Sequence, residues 1–289
     1  MQSSPVRNRL MLASAALLFS TGGAAIKAAT LTSWQVASFR SAVAAIFLLA
    51  AMPEARRGWR WRMTPVAAAY AATLVLFVLA TRLTTAANAI FLQDTAPLYV
   101  LLLGPWLLRE RVRLADFAYM LAVAAGMSLF FLGSQSAAAT APDPARGNLI
   151  ALACGITWAL TITGLRWLGR GGASDSAMAT VAAGNVMAAL AALPMALPAP
   201  AAGPANVSVI LYLGVVQIGV AYVLVTRAIR HVPAFEATTV LLLEPALNPV
   251  WAWLVHGEKP GPWALTGGAV ILAATLVNAW RQGARGAVA

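Results

Sequence analysis

The sequence predicts an all-α membrane protein: ten transmembrane helices arranged as two inverted five-helix repeats. Three observations predict this. The 289-residue chain is 61% hydrophobic and only 10% charged, with a mean hydropathy of +0.77, whereas a water-soluble domain carries about 25% charged residues. Its apolar residues gather into runs of about 20, the length that crosses a bilayer, and such a run satisfies its own backbone only as a helix. Two stretches also say the same thing twice. In Ile90–Arg111 (IFLQDTAPLYVLLLGPWLLRER) Pro97 precedes Glu110 by thirteen positions, and in Thr238–Pro260 (TTVLLLEPALNPVWAWLVHGEKP) Pro245 precedes Glu258 by the same thirteen. Each proline follows an acid, Asp94 or Glu244, and each stretch precedes one more apolar span, so a duplication is read before any single residue.

Taken in order, the first repeat (1–133) holds spans at Leu10–Ala28, Trp34–Met52, Pro65–Arg82, Asn88–Leu108 and Leu114–Gly133. The first follows Arg7 and Arg9 as a signal peptide would, but it is long enough to span and many similar runs follow. A Pro/Ala/Ser-rich linker occupies 134–147. The second repeat (148–289) holds Asn148–Leu168, Ser176–Leu197, Asn206–Ile229, Phe235–Val255 and Gly261–Trp280.

Ten spans put both termini on one side. With the N-terminus inside, the inner segments hold Arg7, Arg9, Arg56, Arg57, Arg60, Arg62, Arg109, Arg111, Arg113, Arg166, Arg170, Arg227, Arg230, Arg281 and Arg285. The outer segments hold Lys27, Arg82, Arg146 and Lys259. This asymmetry predicts cytoplasmic termini and an extracytoplasmic linker. Five helices per repeat invert the second copy, so Glu110 faces the cytoplasm and Glu258 faces outside. Inverted repeats of this kind are typical of secondary transporters, in which alternating access moves a site between the two sides.

Composition excludes several classes. The net charge of +11 comes from loop arginines that orient the spans, so nucleic acid is not an expected partner. One Cys (Cys154) and two His leave no disulfide framework and almost no zinc ligands, so neither a metal nor a cofactor is expected. No G-x-x-x-x-G-K-[ST] occurs, which argues against a nucleotide-driven pump. H-E-x-x-H and G-x-S-x-G are missing too, so a membrane-embedded enzyme is a distant alternative. A channel is another, but it does not account for an inverted duplication with paired prolines.

The run Ala221–Val277, with Ala228, Pro245, Glu258 and the pair Gly267–Gly268, resembles the second EamA repeat of the drug/metabolite transporter superfamily. The first half is similar through Pro97 and Glu110, and departs from the usual wording near Phe19–Gly23 and at Gln93–Asp94. The resemblance spans essentially the whole chain. It implies a ten-helix carrier of small metabolites, usually an exporter, in the bacterial cytoplasmic membrane. The chain is most similar to bacterial amino-acid exporters, including those of aromatic amino acids. A multidrug or organic-cation exporter of the same fold is the alternative.

Ionisable groups inside a bilayer are costly and therefore functional candidates. Arg40, Asp94 and Glu244 fall at similar depths on three helices, within roughly 6 Å of the midplane. Arg40 with an acid could hold both ends of an amino acid; equally, the charges could form an internal ion pair. Glu244 and Asn248, four apart, share a helix face. Gln93, Tyr99, Trp158, Asn185, Gln217 and Tyr222 complete the candidate substrate or coupling residues. Pro97, Pro245 and Pro249 remove donors to the carbonyls of Gln93, Leu241 and Pro245, and are candidate hinges or static kinks. Trp34, Trp59, Trp61, Trp263 and Trp280 lie near span ends as interface anchors. Ala122 with Gly126, and Ala264 with Gly268, offer close helix contact for scaffolding or for a homodimer.

Overall fold

Several predicted spans begin where local chemistry can start a helix. In the computed structural model, which describes residues 5–107, 114–132, 138–169, 176–199, 203–228, 231–232, 237 and 240–286, Thr32 and Gln35 make a capping box. The Thr32 hydroxyl accepts from the Gln35 amide at 3.2 Å, and Gln35 Oε1 accepts from the Thr32 amide at 3.0 Å. They open α3 (Ser33–Ala51), which a short turn, α4 (Pro53–Arg56), follows. Prolines occupy the first turn of α5 (Thr64–Leu83) and α11 (Pro204–Leu211) and the first position of α9 (Pro144–Gly169), where no amide partner is lost. Gly257, with φ 64°, ends α13 (Leu243–His256) in the left-handed region that glycine adopts freely. The remaining long helices are α8 (Leu114–Leu132), α10 (Ser176–Ala196) and α14 (Pro262–Gly286).

Four spans are not continuous α-helices. The first is α1 (Pro5–Ser20) and α2 (Gly22–Ala28), parted at Thr21. There the Ser20 and Thr21 hydroxyls donate back to the carbonyls of Leu17 and Leu18, both at 2.7 Å, a pattern that bends helices. The fourth is α6 (Ala86–Gln93) and α7 (Ala96–Leu107), parted at Asp94–Thr95, with Pro97 in the first turn of α7. The eighth runs from α11 through a π-helix (Tyr212–Val220) into α12 (Ala221–Ala228). The ninth bends at Leu242, and Pro245 lies in the first turn of α13. The sequence anticipated the fourth and ninth breaks through their prolines; the first break and the π segment were not anticipated.

Seven helical segments among the described residues are long and apolar enough to cross a membrane, and Asp116–Leu132 and Pro262–Asn278 are shorter apolar helices. The expected ninth span falls partly on residues outside the described ones, as do Glu110 and its neighbouring arginines. The sixth helix starts at Pro144, earlier than the expected Asn148. Asp143 explains this by accepting from the Arg146 amide at 3.1 Å, as an N-cap does.

Helices α3, α5, α9 and α10 pack together at the centre; α1 lies against α12 and α13, and α14 against α8. The core between them is rich in alanine, which lets backbones approach where lipid gives no hydrophobic drive. A Cβ on Gly126 would stand 3.0 Å from the Gly267 carbonyl, and one on Gly267 only 2.6 Å from the Gly126 carbonyl. The small-residue faces of the fifth and tenth spans thus meet within one chain. Trp59, Trp61, Trp263 and Trp280 are exposed at span ends, as anchors should be, while Trp34 is half-buried. The end of the molecule where α2 and α5 finish and α6, α9 and α14 begin also carries residues 138–143, and is called the linker face below.

Candidate functional site

Arg40 enters the molecule from α3 and is buried, at 2% exposure. One guanidinium nitrogen, Nη2, donates to the Leu74 carbonyl of α5 at 2.8 Å, and Nε finds no partner. Arg40 makes no salt bridge among the described residues. Its electrostatic neighbours are Tyr70, Cys154 and Tyr222, on α5, α9 and α12. The internal Arg40–Asp94 ion pair that the sequence left open is therefore not formed here.

An aromatic chain runs beside this cation. Trp158 and Tyr70 have centroids 6.4 Å apart, Tyr70 and Tyr222 meet edge-on at 5.7 Å, and Tyr222 meets Phe19 edge-on at 5.2 Å. Edge-to-face contact at such distances suits ring quadrupoles. Four helices, α9, α5, α12 and α1, are joined in this way. The backbone of α10 approaches Tyr70 at Gly184, where a Cβ would sit 2.5 Å from the ring. The next residue, Asn185, is buried beside Tyr70; its Nδ2 donates to the Val181 carbonyl at 2.9 Å and its Oδ1 has no partner.

Cys154 links this cation to the acids. Its Sγ donates to Gln93 Oε1 at 3.2 Å, and both Arg40 and Asp94 interact with it electrostatically. Asp94 sits at the break between α6 and α7, and Glu244 just past the bend at Leu242. The two carboxylates are electrostatic neighbours, and neither makes a salt bridge among the described residues. Two broken spans thus bring their acids within electrostatic reach of one another. The Leu92 carbonyl, which accepts from the Thr95 hydroxyl at 2.6 Å, and the Gln93 carbonyl, whose helical donor Pro97 removes, face Gly155 of α9, where a Cβ would be 3.0 and 3.2 Å away. Pro245 and Pro249 are buried on α13.

Gln217 and Asn248 are brought to a different place, the break in the first span. Gln217 lies in the π-helix, a distortion often found at functional sites. Its Nε2 reaches the Phe19 carbonyl at 3.4 Å, and its Oε1 has no partner. Asn248 is fully buried with both side-chain polar atoms unpartnered, and a Cβ on Gly23 would stand 2.5 Å from its Oδ1. One turn on, Trp251 Nε1 donates to Ser20 Oγ at 2.9 Å. Tyr99 stands on α7 beside Thr95, and no described contact joins it to Arg40, Asp94 or Glu244.

Sequence reasoning missed Phe19, Tyr70 and the role of Cys154. Cys154 precedes Trp158 by four positions, so helical spacing from a residue already singled out would have found it. Tyr70 offered the weaker signal of an aromatic amid alanines.

This is a polar, charged centre enclosed by broken apolar helices, the anatomy of a membrane carrier. The chain belongs to the EamA-like transporter family, whose model matches residues 9–132 and 145–280, once in each half. It is a multi-pass membrane protein of a family of small-molecule transporters. A solved structure described only as "Crystal structure of protein" is 20% identical, with a TM-score of 0.62 over 98% of this chain and 99% of that one. At that identity the likeness is one of fold. No curated protein matches the chain.

Proposed function

We propose that this protein exports amino acids, aromatic ones among them, by alternating access between two inverted five-helix repeats, 1–133 and 148–289, joined by an extracytoplasmic linker. Arg40 takes the substrate carboxylate, and Asp94 and Glu244 face its ammonium. Tyr70, Trp158, Tyr222 and Phe19 wall the side-chain space. Both termini lie on the cytoplasmic side of a bacterial inner membrane, following the arginine asymmetry. The protein acts as a carrier and not as an enzyme.

The observation behind this function is the buried Arg40 guanidinium, with no counter-ion among the described residues and with Nε unpartnered beside aromatic rings. A buried charge needs compensation, and a carboxylate matches the planar guanidinium fork. A second function, export of organic cations, draws on Asp94 and Glu244, two neighbouring acids with no described basic partner.

Counterflow in proteoliposomes separates the two. Vesicles are loaded with unlabelled solute and offered labelled amino acids or organic cations. Uptake of amino acids that Arg40→Lys weakens supports the first function. Uptake of cations alone, unaffected by Arg40→Lys, replaces it with the second.

A further inference from the structure

Three half-helices end at the linker face: α2 (Gly22–Ala28), α6 (Ala86–Gln93) and α13 (Leu243–His256). Each is the linker-face portion of a span broken near the membrane centre, at Thr21, at Asp94–Thr95 and at Leu242. At their tips two buried charged side chains tie them together. Lys27 Nζ stands 2.9 Å from Glu258 Oε2, with the two side chains only 4% and 3% exposed. Lys27 also donates to the Thr84 carbonyl at 2.8 Å and to the Thr140 carbonyl. The other Glu258 oxygen accepts from the Ala86 amide, the first of α6, at 2.5 Å. That amide is one of the orphan donors of a helix start, where a carboxylate is favoured.

We propose that the Lys27–Glu258 pair is the latch that holds the linker-face mouth of the transport path shut, and that it breaks when α2, α6 and α13 swing apart. The latch rests on the alternating-access function proposed above. Two physical facts favour a reversible closure over a permanent clamp. A buried ion pair gains little over a well-packed apolar pair, because desolvation offsets the attraction. At the edge of a membrane, however, parting charges are taken up by water, so the open state is not penalised as it would be at the centre. The pair also joins the two repeats: Lys27 belongs to the first and Glu258 to the second, and Thr140 in the linker is held by the same ammonium.

A cysteine inside the transport path tests this without any knowledge of the substrate. Gln93→Cys in a Cys154→Ser background places one thiol at the inner end of α6. A membrane-impermeant thiol reagent is applied to the linker side of reconstituted vesicles, and the labelling rate is followed. Glu258→Gln and Lys27→Met should each raise that rate at least tenfold. Should either single variant fail to fold, the double variant Lys27→Met/Glu258→Gln decides, since it leaves no buried charge uncompensated. Faster labelling supports the latch whether or not any tested solute is carried. An unchanged rate in folded, monodisperse protein overturns it, even if counterflow is intact.

Discussion

The linker face and the membrane centre treat buried charge in opposite ways. At the linker face the buried charges of Lys27, Glu258 and Arg82 have partners. Lys27 and Glu258 pair and bond four chain segments, and Arg82 donates to the carbonyls of Ala29 and Leu31 at 2.9 and 2.5 Å, where α2 has just ended. Asn148 Oδ1 accepts from Thr84 Oγ1 at 2.8 Å, while its Nδ2 donates to the Phe130 carbonyl at 3.3 Å. At the centre Arg40 makes one hydrogen bond, Asp94 and Glu244 have no described counter-ion, and Asn248 bonds to nothing. On the function proposed above, a substrate would meet the demand that Arg40, Asp94 and Glu244 leave open. On that reading, the difference separates groups that tie helix ends together from groups that a substrate would touch.

Substitution can break this contrast, and the largest effect should fall at the centre. Arg40→Ala should lower counterflow by about ten- to a hundredfold, the loss of charge-assisted hydrogen bonds worth about 1.5–3 kcal/mol. Arg40→Lys should fall between, keeping charge but losing the fork. The melting temperature in detergent should not drop in either, because no ion pair is broken. A drop in melting that tracks the loss of transport would make Arg40 a structural residue.

At the linker face the opposite is expected. Lys27→Met should destabilise the fold by about 3–5 kcal/mol, the cost of stranding Glu258, and adding Glu258→Gln should restore much of it. Denaturation of both proteins by titrated SDS gives the comparison. Equal stability of single and double variants would mean that the pair is hydrated and the contrast between the two regions false.

A smaller effect probes the seam between them, where α13 meets the broken first span. Gly23→Ala drives a methyl into Asn248 Oδ1, at 2.5 Å, and should cost about 1–3 kcal/mol. Asn248→Ala in the same chain should relieve it. No relief would show that the Ala86 Cβ, 2.9 Å from the same position, and not Asn248 keeps Gly23 small.

The smallest change in stability should come from the prolines. Pro97→Ala and Pro245→Ala should fold nearly as well as wild type, since alanine suits a helix better. They should bias labelling of the Gln93→Cys reporter toward opposite sides of the membrane. Wild-type labelling in both would leave the prolines as static kinks and place the motion at Thr21.

Much of the architecture could be read before any coordinates, because bilayer thickness and backbone satisfaction allow a long apolar run one conformation. The duplication, the breaks beside Pro97 and Pro245, and the acids at those breaks follow from residue type and spacing alone. The first-span break could not be read so. It arises from hydroxyls bonding back at Ser20 and Thr21 and from Gln217 and Asn248 pressing on Gly22 and Gly23, contacts more than 190 positions away in sequence. The sequence by itself determined which residues are too polar for lipid: Arg40, Asp94 and Glu244 at mid-depth, Lys27 and Glu258 at a boundary. Only the tertiary structure decided which of them find each other. Pairing depends on how helices from the two repeats are rotated and set side by side, and small-residue packing, not local propensity, fixes that rotation. Among the described residues it joined Lys27 to Glu258 and left Arg40 without an acid.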